Sequence, residues 1–181
     1  MKKATWIILS LLTFQFSSIA QHTELVAVIP EMEILDTEDF SINYPADWEL
    51  DQSGQMGTSF MVFSPISEPT DDFRENVNLI NQDITGYNLD LDSYTELSIS
   101  QIKQLIEGSE ILVNERRKSG KYEYQETIYT GTQGIYNLKF MQYYWVINNK
   151  AFVLTFTCKE DTFEEYLSIG KTILGSFKIK G

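Results

Sequence analysis

The sequence predicts an α+β fold in which an antiparallel β-sheet is flanked by α-helices, an α/β/α sandwich. Three observations predict it. Two long apolar runs, 136–147 (YNLKFMQYYWVI) and 150–158 (KAFVLTFTC), meet across Asn148-Asn149, a pair that tolerates positive φ, and so read as a β-hairpin. Four strand-like stretches, 110–117, 122–130, 136–147 and 150–157, follow one another with only short turns between them, which forces an antiparallel meander. Two further stretches carry helix-start signatures.

The hairpin register follows from its turn. Ile147 faces Lys150, and counting outward pairs Trp145 with Phe152, Tyr143 with Leu154 and Met141 with Phe156, a wholly apolar face. The other face pairs Val146 with Ala151, Tyr144 with Val153, Gln142 with Thr155 and Phe140 with Thr157. It is mixed, yet too apolar for a solvated surface, so both faces of the sheet are expected to be at least partly covered. At strand spacing, Trp145, Tyr143, Tyr144, Phe152 and Phe156 read as core.

In chain order, Lys2 and Lys3, an apolar run over 6–16 and SSIA at 17–20 have the layout of a secretory signal, with cleavage expected after Ala20. The run is shorter than the roughly 20 residues of a spanning helix, so the mature chain is expected not to insert in a membrane. Residues 21–34 read as a leader ahead of one domain over 35–181. Residues 40–44 (FSINY) alternate as a strand that stops at Pro45. Residues 58–64 (TSFMVFS) form a compact buried strand closed by Pro65, and 77–84 return to strand character. SYTE at 93–96 fits a capping box opening a helix to about Glu107, ended by Gly108. TFEE at 162–165 is a second box, with Phe163, Tyr166, Leu167, Gly170, Ile173 and Leu174 on one helical face that must lie on the sheet. A closing strand follows over 177–180.

The chemistry is restricted by what is scarce. His22 is the sole histidine, which removes Ser-His-Asp, Cys-His and histidine-ligated zinc arrangements. Cys158 is the sole cysteine, so no intramolecular disulfide can form, and alternation points it to the core as a small apolar residue. The net charge of −12 repels phosphate backbones and anionic lipid surfaces and argues against nucleic-acid binding.

Acids gather at Asp71, Asp72 and Glu75, at Asp90 and Asp92, and at Glu160, Asp161, Glu164 and Glu165. None of these groups has the glycine-punctuated spacing of a calcium loop, and two sit where helix N-termini attract acids, so no metal site and no cofactor are expected. The long polar connection 65–75 is the expected partner-binding element, with Asp71, Asp72, Arg74, Glu75 and Asn76 as its candidate residues. Arg74 offers a planar fork of donors for a partner; alternatively it pairs with Asp71, Asp72 or Glu75 and pins the loop.

The strings FSINYPADW (40–48), FRENVN (73–78), LDSYTEL (91–97), YTG (129–131) and the terminal FKI (177–179), taken in that order, resemble the PsbP-like family, including its DcrB-like secreted bacterial members. The resemblance runs from about Leu35 to the C-terminus. It implies an antiparallel sheet flanked by helices, in a family whose namesake is an extrinsic lumenal subunit of photosystem II and whose members are not known as enzymes. The function expected is therefore a non-enzymatic, exported binding or accessory domain, periplasmic or extracellular, with an envelope protein or small ligand as partner. The alternatives are a carboxylate-dependent extracellular hydrolase and a cation-binding structural module. The histidine-containing metal sites of plant members have no counterpart here, and no metal residues are transferred.

Overall fold

The computed structural model describes residues 30–180; the expected signal at 1–20, His22 and most of the expected leader lie outside them. Ten strands and two helices follow in the order β1 (Met32–Asp36), β2 (Phe40–Pro45), β3 (Glu49–Asp51), β4 (Phe60–Phe63), β5 (Asn76–Asp83), α1 (Leu91–Leu105), β6 (Glu107–Ser119), β7 (Tyr122–Gln133), β8 (Tyr136–Ile147), β9 (Lys150–Lys159), α2 (Phe163–Gly175) and β10 (Lys178–Ile179). A seven-stranded sheet runs β3-β4-β5-β9-β8-β7-β6, and a three-stranded sheet runs β1-β2-β10. Every pairing is antiparallel.

The β8–β9 hairpin sits where the sequence places it. Asn148 and Asn149 take φ of 51° and 59°, the left-handed pair that matches the twist of the flanking strands. Ile147 faces Lys150, Trp145 faces Phe152, Tyr143 faces Leu154 and Met141 faces Phe156. That face meets α2 and the small sheet in the main core, with Ile42, Phe60, Leu79, Phe163, Ile173 and Phe177. Gly170 of α2 comes down directly on the Phe156 ring.

The opposite face carries α1, which lies across β6, β7 and β8. Tyr94 packs edge-on against Tyr144 and donates to Gln82 Oε1 at 2.6 Å. Ile102 closes a smaller cluster with Tyr129, Leu138 and Phe140.

Local corrections concern element ends. α1 begins at Leu91, capped by Asp90, whose carboxylate accepts from the Ser93 backbone N–H at 2.8 Å while the Ser93 hydroxyl accepts from Asp90 N–H at 3.0 Å. Ser93 is thus the third helical residue rather than the cap. The earlier start brings Leu91 onto the Tyr94–Tyr144 cluster, and this burial decides between two overlapping capping patterns. The helix also ends sooner, at Leu105. Ile106 turns extended and rests over Gly131, where any Cβ would strike it. Gly131 is accordingly a residue of β7, not of the turn.

The box expected at residues 162–165 does not form. Thr162 has helical φ and ψ and makes no side-chain cap. Its hydroxyl turns instead toward Glu75 Oε1 at 3.4 Å and Cys158 Sγ at 3.5 Å.

Candidate functional site

Arg74 is engaged internally. Its guanidinium donates to the carbonyls of Ser64 (2.6 Å) and Phe63 (3.3 Å), pairs with Glu49 at 2.7 Å and lies over the Phe63 ring. Its ionic partner is therefore a residue of β3, not one of the loop acids, and the contact ties the loop to the end of β4.

Asp71 accepts from the Ser67 backbone and hydroxyl, and these bonds, with a smaller pull from Lys159, hold its carboxyl below the usual value. Asp72 approaches Lys159 at 3.6 Å, and its carbonyl accepts from the Tyr136 hydroxyl at 2.8 Å. Glu75 is 2% exposed and turns inward to the hydroxyls of Ser64 and Thr162 and the Cys158 thiol. Burial, aided by the charge on Glu75, pushes that thiol up to about 12. It is protonated and inert at neutral pH. Asn76 opens β5 and donates to the Arg74 carbonyl at 3.2 Å.

The five candidates thus divide. Asp71 and Asp72 meet around Lys159, Arg74 and Glu75 secure the loop from beneath, and Asn76 faces a groove on the other side. Among the described residues, no group of three or more histidines, cysteines or acids is arranged to hold a metal, and no helix is long and apolar enough to cross a membrane.

The groove is a feature that sequence reasoning missed. Because α1 covers only the β6–β8 half of its face, β4, β5 and β9 lie beside it without a helix of their own. A cavity of about 400 Å³ opens there, floored by Asn76, Asn78, Gln142, Thr155 and Thr157. It continues along α1 into a second cavity of about 230 Å³ through Ile80, Gln142, Leu105 and Ile106.

Register explains the floor. Asn78 faces Thr155 and Thr155 faces Gln142, so one row of polar side chains crosses three strands, with Met61 of β4 at its end. Asn76, Thr157 and Phe140 make the next row. Gln142 donates to the Thr155 hydroxyl at 3.0 Å and accepts from Tyr144.

Thr157 is 7% exposed and lines the groove, yet its hydroxyl has no partner among the described residues. Met56 and Leu105, each 80% exposed, stand on the rim, and Met56 holds a left-handed φ of 53° that is strained for a residue with a side chain. No charged side chain lines either cavity, although 22% of the chain is charged. The signal was visible as polar residues at alternate positions, 76 and 78, 155 and 157, within otherwise apolar strands.

No family model matches the chain, and no curated protein matches it. Solved structures do. The PsbP protein CyanoP of Synechocystis sp. PCC 6803 superposes with a TM-score of 0.62 at 14% identity, over 86% of this chain and 96% of that one. The chain has a PsbP-like fold. LpqN of Mycobacterium tuberculosis, involved in cell envelope biogenesis, shares that fold with a TM-score of 0.62 at 15% identity, over 83% of this chain and 91% of its own. A Pseudomonas aeruginosa protein of unknown function shares it at 0.61 and 10% identity, over 83% and 98%.

Proposed function

We propose that this chain is a non-enzymatic accessory domain of the cell envelope, exported by residues 1–20, which binds an envelope protein or small ligand in the groove between α1 and β5. The observation that carries this is the floor: amides and hydroxyls in register, free of charge, with Asn76, Asn78, Gln142, Thr155 and Thr157 lining one groove. The PsbP-like fold supports it, since LpqN is involved in cell envelope biogenesis. The loop at 65–75 is the second part of the surface. It lends Phe73 to the groove beside Asn76 at the start of β5, while Asp71 and Asp72 flank the outside and Arg74 and Glu75 hold the backbone in place.

Photo-crosslinking in intact cells tests the reading. A photoreactive residue at Met56 or at Leu105 should capture one and the same envelope component, and one at the exposed Ser168 on α2 should not. Capture from Ser168 alone would move the binding surface to the other side of the molecule and end this proposal.

A further inference from the structure

Resting on the groove as the binding surface, we infer that its ligand is an uncharged, extended peptide segment of about six residues from a partner protein. Four features of the groove select this chemistry.

The first is charge. An ionised side chain brought into a cavity with no counter-charge would be desolvated without compensation, so charged segments are rejected. The second is the kind of polar group on the floor. Asn76, Asn78 and Gln142 each carry a donor and an acceptor on one planar amide, the same pair that a peptide bond presents, and Thr155 and Thr157 add hydroxyls able to serve as either. Gln142 and Asn76 each spend part of this capacity within the fold, while an acyl chain laid over the floor would desolvate the Asn78 amide and the Thr157 hydroxyl without compensation, which disfavours a lipid tail.

The third is the state of the aromatics. Tyr129 and Phe140 are stacked on each other at 4.7 Å and are buried, and Phe73 packs against Tyr136 at 5.2 Å. Flat faces that a sugar ring would lie against are thereby spent within the protein. What remains exposed is the thioether of Met56 and the isobutyl group of Leu105, flexible anchors suited to aliphatic side chains. The fourth is length. The two cavities follow β5 from Asn76 to Gln82, about 20 Å at strand rise, enough for about six extended residues. A peptide seated there turns its amides and small polar side chains to the floor and its apolar side chains to the rim.

The full exported protein is tested against an array of capped uncharged hexapeptides, a matched array in which two positions are Asp or Lys, maltotriose, and dodecyl maltoside, with amide chemical shifts mapping the site. Uncharged peptides should bind at least tenfold tighter than charged ones and shift the amides of Asn78, Thr155 and Thr157. Thr157→Val should lose tenfold or more in peptide affinity while keeping its melting temperature, because the hydroxyl it removes has no partner within the fold. Equal binding of the two arrays, or groove shifts with maltotriose or dodecyl maltoside alone, overturns the peptide assignment and leaves the groove as a binding surface. A groove silent to every probe, together with cellular crosslinks from Ser168 only, overturns both.

Discussion

Gly170→Ala is the sharpest probe of how α2 is seated on the sheet. A Cβ at Gly170 would lie 2.7 Å and 2.8 Å from two ring carbons of Phe156, against the roughly 3.5–4.0 Å at which carbons pack favourably. Phe156 is fully buried and has Phe163 5.9 Å away, so the ring has little room to withdraw. Overpacking of this kind costs about 1–3 kcal/mol. Alanine in a helix interior returns up to about 1 kcal/mol, leaving a net loss of about 1–2 kcal/mol.

The same change at Gly175, the last residue of α2, meets nothing within 4 Å and should be neutral or stabilising by up to about 1 kcal/mol. Urea titration of the two variants isolates the packing effect, since both add one methyl group to one helix. The unfolding free energies should separate by about 2 kcal/mol with an unchanged slope. If Gly170→Ala proves as stable as Gly175→Ala, α2 does not rest on Phe156, and the arrangement of the main core is wrong.

Arg74→Ala should lower stability by about 1–3 kcal/mol in the same titration, because two carbonyls lose their donors along with the Glu49 pair, while partner capture by the folded fraction persists. Asp90→Ala should cost about 1 kcal/mol and speed hydrogen exchange in the first turn of α1, whereas Glu96→Ala should leave that exchange unchanged. The Cys158 thiol binds its proton more tightly folded than unfolded, its value rising from 9.0 to about 12. Its stabilising contribution is therefore complete below about pH 9 and lost as pH rises toward 12. Urea midpoints between pH 8 and 11 should fall less steeply in Cys158→Ala than in the parent, and parallel slopes would show that the thiol is not held this way.

Much of the fold was legible because its strongest signals are local. Asn148-Asn149 sets the turn, the turn sets the register, and register alone puts Met141, Tyr143, Trp145, Phe152, Leu154 and Phe156 on one face. Helix ends were less legible. Asp90 and Ser93 each begin a valid capping pattern, and the choice depends on whether Leu91 finds a cluster to join, a tertiary fact. Thr162 was misread for a related reason, since its hydroxyl answers to Glu75, 87 positions away in the chain.

The loop 65–75 drew attention by its length and polarity. What length could not reveal is that Glu75 faces inward and that Arg74 reaches β3. The groove depends on strand order. Asn78 and Thr155 are neighbours only because β5 pairs with β9 across an intervening helix and three strands, and no local pattern announces that pairing.

An uncharged floor that receives a ligand is the centre of the proposed site, and Asn78→Asp tests it most directly. The substitution keeps size and shape and places one negative charge beside Thr155 and Met61, facing the cavity. The melting temperature should stay close to that of the parent, while capture of the component crosslinked from Met56 and Leu105 falls at least tenfold. Undiminished capture by a well-folded Asn78→Asp protein would contradict the account.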